Sequence, residues 1–296
     1  MLSICIKGGL GNQLFQYAFA KKMSIILNED ICLDLSWFYI NNLQKVYLLN
    51  YFNLDSNIKI KKKTFRYYFE NYIVNNIYIK QPLRDYRQYR FKEGVNFINN
   101  YEKIFSRKNL YIMGYFQNEK YFHDIKEIIK KEFKLNFQLP EIIIKKKEEI
   151  NNSLDASCLI HLRRQHGSNQ FENSVNETEK FNNQDKDYFY YNNAIKYVKE
   201  KNKNTKFYLF TDVENEFTKK IANLCENFEY INYGKKFKND LFEWEFMKSF
   251  SKFIIPNSTF SWWAAYLSDE KNPLVILPKD NYFINKVPEF PNSIKV

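Results

Sequence analysis

Hydroxyls crowded against tryptophans form the densest chemical signal in this chain, in Asn257-Ser258-Thr259-Phe260-Ser261-Trp262-Trp263-Ala264-Ala265. The apolar run Phe253-Ile254-Ile255 leads in and Pro256 ends it, which reads as a strand passing into a helix. Ser258 or Thr259 is placed to cap that helix, so that its first-turn N–H groups point outward. Hydroxyls and N–H groups at the positive end of a helix suit an anion. The plainer use of the same residues is a capped, buried helix with its tryptophans in the core.

A second group opens the chain. Leu2–Lys7 reads as a short buried strand, Gly8-Gly9-Leu10-Gly11-Asn12-Gln13 as a turn, and Leu14 to Ala20 as helix. Strand, glycine turn and helix let a backbone come close to a phosphate or a sugar. A dinucleotide fingerprint is excluded, because Leu14 stands where its third glycine belongs and only Asp34 offers itself as the acidic partner. A P-loop is excluded too, since no Gly-Lys-Ser/Thr follows. The third group, His161-Leu162-Arg163-Arg164, closes the apolar run from Ala156 to Ile160. Arginines at the carboxyl end of a strand sit where open α/β sheets bind ligands, and the planar guanidinium suits a diphosphate. Strand alternation puts His161 and Arg163 on one face and Arg164 on the other.

These residues need elements to hold them. Strand-like runs recur at Leu2–Lys7, Ile31–Leu35, Leu110–Met113, Ala156–Leu162, Lys206–Phe210, Phe253–Ile255 and Leu274–Leu277. Helical patterns alternate with them at Asn12–Leu27, Glu119–Phe133, Tyr188–Lys201, Glu214–Asn227 and Leu241–Phe250. That alternation predicts an α/β fold with parallel sheets. Pro140 and Lys145-Lys146-Lys147 interrupt the apolar pattern and place a break near Leu139–Asn152, giving halves 1–148 and 149–296. The polar, Asn-rich stretch Gln165–Lys186 reads as a mobile lid. Its Asp185-Lys186-Asp187 has the D-x-D form of some metal sites, but Asp187 is better placed as the N-cap of the helix that follows.

Taken together, these segments resemble glycosyltransferase family 11, the bacterial α-1,2-fucosyltransferases. Gly8 to Ala18 is similar to that family's opening and Gly114-Tyr115-Phe116-Gln117-Asn118-Glu119-Lys120-Tyr121-Phe122 to its mid-chain segment. His161-Leu162-Arg163-Arg164 resembles its H-x-R-R-x-D motif, Leu209-Phe210-Thr211-Asp212 its strand ending in Ser/Thr-Asp, and Asn257–Ala265 its C-terminal signature. Two positions depart: His166 stands where the motif is acidic, and Val213 where a second Asp is frequent. The resemblance implies a GT-B fold of two Rossmann-like domains facing across a cleft. The acceptor would lie on the side of 1–148 and the nucleotide sugar on that of 149–296. It also implies inverting transfer of fucose from GDP-β-L-fucose to a sugar hydroxyl.

On that reading His161, Arg163, Asn257, Ser258, Thr259 and Phe260 hold the donor diphosphate, and Asp212, with Glu243 in reserve, meets guanine or ribose. Gly9, Gly11, Asn12 and Gln13 shape the sugar side. Arg163 stabilises the leaving group, and His166 is either the base or a lid residue. No metal or other cofactor is expected. The rivals are a related transferase of altered donor or linkage, and a weakened glycan- or nucleotide-binding homologue.

Composition bounds the rest. Net charge is +11 over 296 residues, which fits nucleic acid, an anionic membrane or a phosphorylated substrate. No nucleic-acid motif is present, so that partner is not expected. Lys61-Lys62-Lys63 with Phe65-Arg66-Tyr67-Tyr68-Phe69 is the patch for peripheral contact with a membrane bearing a lipid-linked acceptor. Cys5, Cys32, Cys158 and Cys225 form no C-x-x-C pair and read as buried thiols of a reducing compartment. Met1-Leu2-Ser3 leads directly into a strand, and no run approaches the roughly 18 apolar residues of a membrane span. The expected location is cytoplasmic, peripheral at the inner membrane.

Overall fold

The computed structural model describes residues 1–40, 46–62, 111–162, 177–211, 214–231, 239–279 and 290–296. The chain divides into two compact units, Met1–Gln138 and Leu139–Val296.

In the first unit, β1 (Leu2–Cys5) lies between β2 (Ile31–Asp34) and β4 (Tyr111–Ile112), with β3 (Lys59–Lys61) outside β2. All pairings are parallel, with Leu2 opposite Ile31, Cys32 opposite Lys59, and Ser3 opposite Tyr111. Strands covered on both faces read as continuous apolar runs, which is why β1 and β2 were legible. The helix α1 (Leu10–Leu27) follows β1 and buries Leu14, Phe15, Tyr17, Ala18 and Phe19. Phe19 stacks on Phe116 with ring centroids 3.8 Å apart. The short α2 (Ser36–Ile40) follows β2, and α3 (Lys126–Glu132) comes after two turns of 3₁₀ helix.

A buried charge network ties α1 to α3. Tyr17 donates to Glu132 at 2.6 Å, and Lys21 pairs with Glu132 at 2.7 Å and Asp55 at 2.8 Å. Burial, then the Glu132 hydrogen bond, pushes the Tyr17 phenol far up. The hydrogen bond from Lys21 holds Asp55 below its ordinary value.

The second unit is built on β5 (Ser157–Leu162), β6 (Lys206–Thr211), β7 (Phe228–Ile231), β8 (Lys252–Ile254), β9 (Leu274–Leu277) and β10 (Ile294–Lys295). Their order across the sheet is β7-β6-β5-β8-β9-β10, all parallel. Its helices are α4 (Glu141–Asn152), α5 (Glu177–Lys201), α6 (Glu216–Cys225), α7 (Asn239–Met247) and α8 (Thr259–Tyr266). The two units divide between Gln138 and Leu139, at the start of the Leu139–Asn152 stretch. Pro140 starts α4 rather than stopping structure, as its fixed φ allows. The lysines that looked like an interruption anchor α4 to this unit: Lys147 reaches Glu245 at 3.0 Å and Lys146 reaches Glu229 at 2.7 Å.

The four cysteines are buried and free. Burial pushes the Cys225 thiol up to about 12 and raises Cys158 and Cys32 as well. Among the described residues no helix is long and apolar enough to cross a membrane.

Candidate functional site

Both sheets reverse direction at their first strand. Numbered within its unit, the second sheet runs 3-2-1-4-5-6, and the first runs 3-2-1-4. In open α/β sheets the crevice for ligands lies beyond the carboxyl ends of the two strands flanking such a reversal. In the second unit those strands are β5 and β8, paired through Leu159–Phe253 and Ile160–Ile254. His161 is the penultimate residue of β5, and Arg163 follows that strand in the sequence; beyond β8 come Pro256, Asn257, Ser258 and α8. The two segments that looked most chemical in the sequence therefore belong to one corner.

Side chains lock that corner. The His161 ring, buried to 9% exposure, places Nδ1 2.8 Å from the Ser261 hydroxyl in the first turn of α8. The Phe260 ring lies 6.1 Å from the imidazole. On α5, Tyr191 donates to the His161 carbonyl at 2.8 Å. Its neighbour Tyr190 faces two carbonyls, Ile255 at 2.7 Å and Ile276 at 2.8 Å. One tyrosine thus holds the end of β5 and the next holds the end of β8. Trp262 and Trp263 are buried; Trp262 stacks on Tyr266 one turn along the same helix at 4.8 Å and meets Phe290 outside it at 5.6 Å.

In the first unit the reversal lies between β1 and β4, and beyond them come Gly8–Gln13 and Gly114–Gln117. Carboxamides stitch these loops together. Gln16 accepts from the Lys7 N–H at 2.9 Å and donates to the Gly114 carbonyl at 3.1 Å. Gln117 donates to Asn12 Oδ1 at 2.9 Å. Gly8 needs its glycine for φ +82°, and Gly114 because a Cβ there would come 2.6 Å from the Phe116 ring. Gly9 has neither reason: it caps α1 with φ −78°, and a Cβ there would meet nothing within 4 Å.

Several sequence expectations are corrected here. Gln13, read as a sugar contact, is fully buried and its amide is spent on backbone: it donates to Gly8 at 2.9 Å and Val46 at 2.8 Å and accepts from Leu48 at 2.9 Å. Asp34, which was not expected to meet ribose, takes Ser36 N–H and hydroxyl on one oxygen and the Tyr111 hydroxyl on the other. Ser258 does occupy the N-cap of α8, yet its hydroxyl makes no capping bond. Asp187 is not an N-cap, since α5 begins ten residues earlier at Glu177 and runs through it. The D-x-D triplet lies within that helix. The same helix replaces the C-terminal part of the expected lid.

Gly11 is buried in the first turn of α1, and Asn12 is half-buried there. Asn257, Thr259 and Phe260 are half-buried around the start of α8, and Glu243 is half-buried on α7. Among the described residues no three His, Cys, Asp or Glu come together as a metal-binding group. Arg163, Arg164, His166, Asp212 and the remainder of the lid lie outside the described residues, as does the basic patch from Lys63 to Phe69. Ser261, Tyr190 and Tyr191 were missed. The signal for Ser261 was a hydroxyl one helical turn beyond Ser258; a Tyr-Tyr pair inside a helix carries none.

The glycosyl transferase family 11 model matches residues 1–289. The chain belongs to this family. It is a glycosyltransferase. An α-1,2-colitosyltransferase of Escherichia coli is 28% identical over 281 residues, covering 92% of this chain and 89% of the relative. The O-antigen biosynthesis glycosyltransferase WbnK of Escherichia coli is 26% identical over 302 residues, covering 93% of each. Among solved structures, NodZ α-1,6-fucosyltransferase soaked with GDP-fucose superposes with a TM-score of 0.53 at 12% identity, over 96% of this chain and 97% of that one. The fold is α/β of the GT-B type, as the sequence resemblance implied.

Proposed function

We propose that this glycosyltransferase moves L-fucose from GDP-β-L-fucose to a galactoside hydroxyl, with inversion to an α-1,2 linkage, in the synthesis of a surface glycan such as an O-antigen. The observation that carries this reading is the meeting of His161 and the start of α8 at the reversal of the second sheet. A diphosphate there receives N–H groups and hydroxyls from Ser258, Thr259 and Phe260, and Arg163 adds a charged fork. That set stabilises negative charge as GDP departs, through preorganised donors. Asp212, with Glu243 in reserve, is assigned to guanine or ribose. Gly9, Gly11 and Asn12 are assigned to the sugar side, where the vacant space beside Gly9 admits close approach. His166 is assigned as the candidate base for the acceptor hydroxyl. The acceptor is taken to be a glycan on a lipid carrier, reached by peripheral contact with the membrane.

The chemistry needs no metal on this reading, because protein donors neutralise the diphosphate. Transfer is expected to persist in EDTA; activity that vanishes with chelator and returns with Mn²⁺ rejects the assignment. A second donor is favoured by the colitosyltransferase relative. The deciding experiment offers GDP-fucose and GDP-colitose side by side to a set of galactosides, with linkage read by NMR. Fucosyl product joined α-1,2 supports the proposal, exclusive use of GDP-colitose transfers it to that sugar, and no turnover of either donor defeats it.

A further inference from the structure

The mid-chain segment that begins at Gly114 holds an unusual backbone. Phe116 adopts φ +51°, in the left-handed region that a bulky side chain rarely enters. Its surroundings enforce that conformation. The Phe116 ring is fully buried, stacked on Phe19 at 3.8 Å and edge-on to Tyr121 at 5.9 Å. A Cβ on residue 114 would come 2.6 Å from that ring, so glycine makes its place. Gln16 holds the Gly114 carbonyl at 3.1 Å, and the Asn118 N–H donates to the Phe116 carbonyl at 2.8 Å. A backbone held this firmly in an unfavourable region points to a role for what it presents. What it presents is Tyr115, 37% exposed between two buried neighbours. The Lys7 ammonium lies over the Tyr115 ring, 4.4 Å from its centroid. Lys7 immediately precedes the Gly8-Gly9 turn, and Gln16 accepts its N–H as well. The ring therefore stands beside the turn that opens α1, at the reversal between β1 and β4.

We propose that Tyr115 is the stacking platform for the acceptor sugar, its ring receiving the C–H face of a hexopyranose at the corner of the first unit. Tyrosine suits that contact, because its body is apolar, its tip is polar, and few rotamers are lost on binding. Burial raises the phenol above its ordinary value, so the ring stays neutral through the physiological range. The glycine turn next to Lys7 leaves room for a ligand, since a Cβ on Gly9 would meet nothing within 4 Å. With its backbone fixed at Gly114 and Phe116 and an ammonium over its ring, Tyr115 is ordered before a sugar arrives, which lowers the entropy lost on binding. This deepens the proposed function and rests on it for the identity of the acceptor; the stacking itself does not depend on which nucleotide sugar is the donor.

Saturation-transfer NMR on the full chain reads the contact directly, with lactose and methyl β-D-galactoside as the probes. The parent is expected to pass saturation to the galactose ring protons, Tyr115→Phe to keep most of that signal, and Tyr115→Ala to lose it. Tyr115 is exposed, so Tyr115→Ala is expected to melt near the temperature of the parent. No signal from either sugar in the parent, or an undiminished signal in Tyr115→Ala, overturns the proposal. Transfer kinetics are the second arm. Tyr115→Ala is expected to raise the acceptor KM about tenfold, as for loss of one stacking contact, with the KM of GDP-fucose and the calorimetric affinity for GDP near those of the parent. Tyr115→Phe is expected to restore the acceptor KM, because the aromatic face suffices. A rise in the KM of GDP-fucose in place of the acceptor's would assign the ring to the donor sugar and overturn the proposal. A galactoside signal that depends on Tyr115 in a chain that does not turn over GDP-fucose would support the platform while rejecting the fucose reading.

Discussion

The two sheet reversals in this molecule are made by one topology and finished by different chemistry. At the first, Gln13, Gln16 and Gln117 give their carboxamides to backbone and to Asn12. Gln13 and Gln16 are spent on backbone, which leaves Asn12, the loop backbone and the open space beside Gly9 at this corner. At the second, tyrosines from α5 take up the strand-end carbonyls and Ser261 orients His161. There the spent groups are carbonyls, and the positive helix end remains for an anion. The difference teaches that one corner is shaped for close approach and the other for charge.

The largest effect that would test this contrast is structural. Gln13→Leu strands the buried Leu48 N–H and two carbonyls, and is expected to cost about 3 kcal/mol of stability, read by urea unfolding. A loss under about 1 kcal/mol would mean the carboxamide lacing is incidental. Arg163→Ala addresses the second corner and is expected to weaken GDP by about 1.5–3 kcal/mol with little change in unfolding. Unaltered GDP affinity by calorimetry would remove the arginine from the site.

Tyr190→Phe lies between the two kinds of effect, because its hydroxyl holds strand ends and touches no ligand. It is expected to cost about 1.5 kcal/mol. Burial raises the Tyr190 phenol well above its ordinary 10.0, so the folded chain keeps a proton that the unfolded chain releases. That contribution is complete below pH 10 and fades as pH rises above it. Stability measured from pH 8 to 11 should fall at the alkaline end, and less steeply in Tyr190→Phe; parallel curves would refute the link. Smallest in stability is Gly9→Ala, at about 1 kcal/mol or less, since the backbone there is ordinary and the Cβ meets nothing. Its turnover should nonetheless fall at least tenfold. A fully active variant would show that the space beside Gly9 is not used.

Much of this was readable from residue order. The central strands β1, β2, β5, β6, β8 and β9 announced themselves as short apolar runs because both faces are covered. Of the edge strands, β4 was read at Leu110–Met113, while β3 and β7 were not. β3 is Lys-Ile-Lys and exposed, as edge strands often are, and β7 alternates Phe228-Glu229-Tyr230-Ile231 with Glu229 committed to Lys146 and Lys206. The helix α4 was hidden because its lysines find acidic partners only after the unit folds. The site motifs were legible as segments, and their pairing at the reversals was not, since no local pattern says that β5 lies beside β8. Gln13 was misread for a related reason: a carboxamide in a glycine loop looks the same whether it meets a sugar or a backbone.

The parallel pairing of β1 has a consequence for the order in which the chain assembles. Joining Leu2 to Ile31 closes a short loop, while joining Ser3 to Tyr111 closes one roughly two doublings longer. Each doubling costs only about 0.6 kcal/mol in chain entropy, so the delay is not chiefly thermodynamic. It is a matter of synthesis: the first strand leaves the ribosome long before its second partner, β4, exists. The same holds for β5, which must wait for Lys252–Ile254. In each unit the strand order therefore reverses only after a long wait, and a nascent chain stopped short of β4 or of β8 carries a first strand with one side open.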